Sequence, residues 1–273
     1  QEFNVPLIRQ FVTGKEVAVD RETRHLGDVG SFPGRQEALP ELQTAMAKLE
    51  SELVDLDIDA PWTHEKADEF DAMTFAGWII QNVESPALRT LMSISTNAYF
   101  GVMPEEVSFL EALHLFKTCG DIIYMGDTHT GGQAAHIMGS QLVSEGLAAT
   151  VNGVVSLSSP LRRIIQNDQG VTVECDETTW QGKQVICALP PVIINRLEFE
   201  PMLPAYRRAF HQRCPIGRYS KAVLTYETPF WREQGLSGIA ASIDNGMTGI
   251  FDLGDTESKR GVISILFGGE PSI

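Results

Sequence analysis

The apolar positions of the chain change period along its length. Leu39, Leu42, Met46, Leu49, Leu53 and Leu56 recur every three or four residues, the spacing of one face of an amphipathic helix. Asp59-Ala60-Pro61-Trp62 breaks that pattern, because proline removes a helical hydrogen bond. A second helix is predicted over Met73–Val83. A third is predicted from Ser85-Pro86 to about Ala98, with Ser85 as N-cap and Pro86 at the first helical position. Pro104-Glu105-Glu106 predicts the opening of a fourth, which ends near Gly120.

Beyond that point the pattern becomes extended. Ile122-Ile123-Tyr124-Met125 is a short apolar run, and Gly131-Gly132-Gln133 leads into a helix-like stretch reaching about Ala149. From Val154 the chain reads as strands. Arg162–Gln166 and Val171–Cys175 flank Asn167-Asp168-Gln169-Gly170, a hairpin signal. Gln184–Leu189 reads as a buried strand halted by Pro190-Pro191, and residues 201–214 read as a helix. Ser220–Tyr226, Ile239–Ile243, Thr248–Leu253 and Val262–Phe267 continue the strand pattern, separated by Asp244-Asn245-Gly246 and the charged loop Asp255–Arg260. Residues 1–35 read as irregular or strand-like, punctuated by Gly27, Gly30 and Gly34. A helical block, a β block and then more mixed sheet, without βαβ alternation, predict an α/β fold of the mixed α+β kind.

Composition narrows the function classes. Hydrophobic residues make up 43% and charged residues 21% of 273 positions, enough to bury a core. No apolar run is long enough to span a bilayer. The first residues lack a basic patch followed by an apolar run, so no signal peptide is visible, and they read as the interior of a longer protein. The formal charge of −15 argues against a nucleic-acid partner, which needs clustered Lys and Arg. Residues 37–71 hold eleven Asp and Glu against two Lys, a pattern that solvated helix faces and loops produce. Cys119, Cys175, Cys187 and Cys214 form no CxxC pair and the six His no HExxH pattern, so no metal site is expected and free thiols in a reducing compartment are. No two glycines stand two positions apart, which excludes a GxGxxG fingerprint within the chain.

Several segments, in order, carry a resemblance. They are Asp59-Ala60-Pro61-Trp62, Glu106-Val107-Ser108-Phe109-Leu110, Thr130-Gly131-Gly132-Gln133 with Met138-Gly139-Ser140, Ala188-Leu189-Pro190-Pro191, Pro201-Met202-Leu203-Pro204, Pro215-Ile216-Gly217-Arg218-Tyr219-Ser220-Lys221 and Pro229-Phe230-Trp231. Each is weak alone; together they resemble the flavin-containing amine oxidase family, the monoamine oxidases in particular. The resemblance implies a substrate-binding domain of mixed sheet plus helices, from residues 1–137 and 211–273. It implies that residues 138–210 are a β-rich portion of an FAD-binding domain. The family's dinucleotide fingerprint would precede residue 1, and its C-terminal flavin segment would follow residue 273.

The resemblance also implies residue roles. Lys221 matches the lysine beside the reactive edge of FAD, where an ammonium stabilises negative charge and positions water or dioxygen. Its alternative is a strand lysine with its head in solvent, although Tyr219 and Val223 share its strand face. Gln133 would line the substrate cavity; its alternative is to satisfy a Gly-Gly turn. Met125 and Gly126 would stand where the family gates its cavity, and Gly126 departs from the bulky aliphatic often found there. Ser95, Thr96 and Asn97 would lie near the opposite wall, and Trp231 would anchor the core. The backbone of Pro160-Leu161 would lie near the adenine, with Ala188, Pro190 and Pro191 near the cofactor.

The expected reaction is oxidative deamination of a small-molecule amine. Hydride passes from the α-carbon to the flavin, the imine hydrolyses, and dioxygen is reduced to hydrogen peroxide. The fragment alone is expected to be inactive. The alternatives are a polyamine oxidase, an L-amino-acid oxidase using an arginine such as Arg218 for the substrate carboxylate, and a cofactor-free, non-catalytic module. A cytoplasmic location is expected, with an anchor after residue 273 left open, and a homodimer is compatible with the sequence.

Overall fold

The computed structural model describes residues 3–20, 23–31, 33–120, 125–242, 247–254 and 259–269. The apolar run at 122–124, the turn at 244–246 and most of the charged loop 255–260 fall outside them. The chain divides into two compact units, one formed by residues 1–140 and 217–273 and the other by 141–216.

The larger unit contains helices α1 (Leu39–Leu53), α2 (Ala67–Ala72), α3 (Phe75–Asn82), α4 (Pro86–Phe100) and α5 (Phe109–Thr118). Their caps follow from the sequence. The Ser85 hydroxyl accepts from Leu88 N, Thr74 from Gly77 N and Ser108 from Glu111 N, each worth about 1 kcal/mol. The predicted fourth helix therefore starts at Phe109 rather than at Pro104. Residues 104–107 turn instead, because Glu106 accepts from Met103 N and Ser108 is the cap. Thr74 and Ser108 also bridge each other, with Phe75 N donating to Val107 O and Phe109 N to Met73 O. The starts of α3 and α5 are thereby locked together.

These helices bury one continuous core. Phe109, Leu88 and Leu113 are fully enclosed, and Phe70, Phe75, Trp78 and Phe116 stack or meet edge to face around Phe109 and Phe75. A large side chain buried in this way contributes about 2 kcal/mol. Against the helices lies a six-stranded sheet. Its strands are β2 (Lys15–Asp20), β3 (Thr23–Asp28), β9 (Tyr219–Tyr226), β10 (Leu236–Ser242), β11 (Met247–Asp252) and β12 (Gly261–Gly268). The order is β3-β2-β10-β11-β12-β9, antiparallel except for the β2–β10 pair. Helix α4 packs on β11 and β12. The small strands β1 (Leu7–Arg9) and β4 (Ala135–Ile137) pair with each other.

A buried charge fixes this sheet. Asp252 is fully enclosed; it accepts from Trp231 Nε1 at 2.9 Å, from Arg232 Nε at 2.7 Å and from Gly254 N at 2.8 Å. Its carbonyl accepts from Gln10 Nε2, and the Arg232 guanidinium stacks over Phe11. The Pro229-Phe230-Trp231 turn, the end of β11 and the N-terminal segment meet at one carboxylate.

The smaller unit holds α6 (Gln141–Thr150), β5 (Leu161–Asn167), β6 (Gly170–Cys175), β7 (Thr179–Gly182), a short α7 (Pro191–Ile194), β8 (Glu198–Glu200) and α8 (Ala205–Arg213). Its sheet runs β7-β6-β5-β8. The hairpin closes at Asn167 and Gly170 as the sequence predicts, with the Asn167 side chain accepting from Gln169 N. Three expectations are corrected here. Residues 184–189 form no strand, and Ile186 is 94% exposed, because no strand among the described residues pairs with them and an unpaired ladder gains nothing from extension. Residues 154–160 likewise form no strand, and Ser158 turns in the left-handed region at φ 56°. The last helix starts at Ala205, after Pro204 as its cap, because the preceding prolines deny the helical turn its N–H groups.

Replacing Asp252 by Ala leaves Arg232 and the Trp231 indole without their buried acceptor. The expected loss is about 3 kcal/mol of stability, read as a lower urea midpoint with an unchanged slope.

Candidate active site

Helix α4 carries the site. Met92, Thr96 and Tyr99 fall at i, i+4 and i+7, on one face. Its C-terminal end is held by a close backbone approach from the segment entering β9. Gly101 closes the helix in the left-handed region at φ 67°, and its carbonyl accepts from Arg218 N at 2.7 Å. A Cβ on Gly217 would stand 2.4 Å from the Phe100 carbonyl oxygen, so only glycine lets the two chains touch. Arg218 Nη2 reaches Glu106 Oε2 at 2.7 Å, and the Tyr219 hydroxyl donates to Ala98 O at 2.6 Å.

With α4 fixed against the sheet, a cavity of about 480 Å³ remains within this unit. Leu42, Met46, Phe75, Met92, Ile239 and Phe251 give it apolar walls. Its polar lining includes Glu16, Thr96, Tyr99, Asp127 and His129. Several of these groups already have partners. The Thr96 hydroxyl, almost fully buried, donates to Met92 O at 2.8 Å. Glu16 accepts from Gly30 N at 3.1 Å. Asp127 accepts from the Thr130 hydroxyl at 2.7 Å and from His129 N at 2.8 Å, and its carbonyl accepts from Gln133 N. The Thr130 hydroxyl first, and then the His129 N–H, hold the Asp127 carboxyl below the usual carboxylate range. Burial pushes the Tyr99 phenol up.

The residues expected from the sequence fall in different places. Thr96 and Gly126 meet at the cavity, where Ser95 joins them. Met125 packs on the helical core. Gln133 is exposed and is not in the cavity lining, and Asn97 is buried on α4 outside that lining. Trp231 is buried as the indole donor to Asp252. Lys221 is exposed on β9, opposite Leu266. In the smaller unit Leu161 and Pro191 are half-buried, whereas Ala188 and Pro190 are exposed. Tyr99 escaped the sequence reading, although its position three residues after Thr96 on a predicted helix was the available signal. Glu16 and Asp127 carried none, since long-range pairing brings them to the cavity.

An apolar chamber between a helical bundle and a mixed sheet is the kind of concave site in which small molecules bind. The family described as flavin containing amine oxidoreductase matches residues 9–268, and the chain belongs to that family of flavin-containing enzymes. It is 30% identical over 267 residues to the probable flavin-containing monoamine oxidase A of Dictyostelium discoideum, covering 96% of this chain and 58% of that protein. It is 29% identical over 276 residues to the putrescine oxidase of Kocuria rosea, with the same coverage of 96% and 58%. A solved putrescine oxidase bound to putrescine superposes with TM-score 0.89 at 24% identity, covering 99% of this chain and 61% of that one. Cyclohexylamine oxidase from Brevibacterium oxydans superposes with TM-score 0.86 at 24% identity, covering 99% of this chain and 60% of that one. These superpositions establish the fold. The chain spans about 58% of the length of the curated relatives named here.

Lys221 is exposed on its strand, and residues 184–189 of the smaller unit form no strand among the described residues. A glycine cradle for a pyrophosphate is not encoded in these 273 residues, so no residue here is assigned to that group.

Two outcomes follow. Gly217→Ala forces the Phe100 carbonyl aside and is expected to cost about 2 kcal/mol, measured by thermal unfolding. Because the folded Asp127 pKa is depressed, the turn over 127–130 is held above the ordinary carboxylate range and loosens as pH falls through the lowered value. An NMR titration is expected to show the His129 and Thr130 amides shifting with a midpoint below that of free aspartate.

Proposed function

We propose that the chain forms the substrate chamber of an enzyme that oxidises a primary amine with an apolar stem, giving aldehyde, ammonia and hydrogen peroxide. The observation that carries this reading is the apolar cavity against α4, inside a chain of the flavin amine oxidoreductase family. Bound flavin supplies the electron acceptor for the α-carbon hydrogen. The chain's own residues bind and orient. Leu42, Met46, Met92 and Phe251 exclude water around the stem, which disfavours an ammonium and favours the neutral amine. Lys221 keeps its ammonium for the flavin side, where it positions dioxygen in the return half of the cycle. Residues 138–210 serve as part of the flavin domain, and Leu161, Ala188, Pro190 and Pro191 present backbone toward the cofactor.

A second reading, oxidation of a diamine, is favoured by one observation: the carboxylates of Glu16 and Asp127 line the same cavity. They could receive a distal ammonium. An amino-acid substrate is disfavoured, since Arg218 is paired with Glu106 and lies outside the cavity lining.

The test uses the full-length flavoprotein. Anaerobic addition of a monoamine is expected to bleach the visible flavin band, and a diamine of equal length to bleach it more slowly. Faster bleaching by the diamine would favour the second reading, and no bleaching by either would remove both. Lys221→Met is expected to leave the anaerobic step intact and to slow reoxidation about 100-fold.

A further inference from the structure

Tyr99 and Gly126 stand in a relation that neither the family match nor the chamber as a whole explains. A Cβ placed on Gly126 would lie 3.0 Å from the Tyr99 hydroxyl oxygen, and among the described residues beyond its chain neighbours no other heavy atom lies within 4 Å of it. The space that a side chain at 126 would need is thus filled by the end of a phenol reaching over from α4. Both residues line the cavity. Tyr99 is half-buried, and that burial raises its pKa. The phenol stays protonated near neutral pH and has one O–H to donate. Among the described residues no hydrogen bond to that hydroxyl is found, whereas the Thr96 hydroxyl one turn earlier is committed to Met92 O and the Asp127 carboxylate to its own turn. A phenol hydroxyl on the lining of a cavity, without a protein partner among the described residues, is a group that a ligand's polar atom can engage.

We infer that Tyr99 is the specificity-determining residue of the chamber: its hydroxyl, admitted by the missing side chain at Gly126, recognises a hydrogen-bonding group on the tail of the substrate. The substrate class is an amine whose stem ends in a hydroxyl or similar polar group, in preference to the pure hydrocarbon of equal shape. This rests on the amine-oxidising reading. It adds that bulk at position 126 and the phenol at position 99 exclude each other.

Tyramine and phenethylamine differ by one hydroxyl and serve as probes. Their dissociation constants are measured anaerobically on the full-length protein by calorimetry, and bleaching of the flavin band is followed separately. Wild type is expected to bind tyramine about tenfold more tightly, and Tyr99→Phe to bring the two amines within about twofold. Gly126→Ile is expected to lower the melting temperature and weaken both amines, and the double variant Tyr99→Ala/Gly126→Ile to recover the melting temperature while losing the preference. An unchanged preference in Tyr99→Phe overturns the inference, as does failure of Tyr99→Ala to relieve Gly126→Ile. If neither amine binds wild type, the inference falls as well. Binding that keeps the preference without any bleaching would defeat the amine-oxidation reading and leave the recognition by Tyr99 standing.

Discussion

The contact on which the site depends is backbone against backbone. Phe100 and Gly101 end α4, Gly217 and Arg218 lead into β9, and the two segments meet closely enough that Gly217 has no room for a methyl group. That approach sets where the last two turns of α4 stand, and with them Thr96 and Tyr99. The same segment continues into β9, so Lys221 is three residues from Arg218, whose N–H bonds to Gly101. One contact therefore registers the cavity wall and the strand that carries the lysine. The surrounding polar bonds, Arg218 to Glu106 and Tyr219 to Ala98, would be worth little at an exposed surface. Their use here is to hold a geometry that packing has already chosen.

Burial in the larger unit divides the labour. The helices supply a closed aromatic core whose caps are locked in pairs, and the sheet supplies a plane whose buried members are short and polar: Ser237, Ser242, Ser264 and Asp252. Hydrophobic packing alone would leave such a sheet weakly specified. The Asp252 network supplies the specification through a charge that cannot be left alone in a dry interior. The cavity lies where the two meet, between the deep side chains of α1 and α4 and the apolar faces of Ile239 and Phe251. Its walls are firm because each belongs to an element fixed elsewhere.

What could be read in the sequence tracks how local each signal is. Ser85-Pro86, the leucine spacing from Leu39 and the Asn167–Gly170 turn act within a few residues, and the structure places a helix start, a helix and a hairpin there. Gln184–Leu189 misled, because an apolar run marks a strand only when another strand pairs with it, and pairing is a long-range fact. The site shows the same divide. Thr96 and Gly126 were legible through resemblance and lie together at the cavity. Glu16 and Asp127 arrive through sheet register and loop geometry, which no local pattern encodes. Tyr99 shares the Thr96 face of α4 by helical spacing, but which face meets a cavity depends on packing against the sheet.

The charge of the chamber raises the last point. The chain is strongly acidic, and two carboxylates border a cavity whose walls are otherwise largely hydrocarbon. Both accept hydrogen bonds from main-chain N–H groups, so part of their charge is answered within the protein. The remainder draws cations toward the cavity. Under the proposed amine-oxidising reading, a protonated amine would have to shed its proton before its stem could occupy the apolar volume, since an ammonium buried there without a partner is far costlier than the neutral amine. On that reading the two carboxylates would raise the local concentration of amines, the apolar walls would favour their deprotonated form, and a neutral hydroxyl such as that of Tyr99 would discriminate among stems without reintroducing charge.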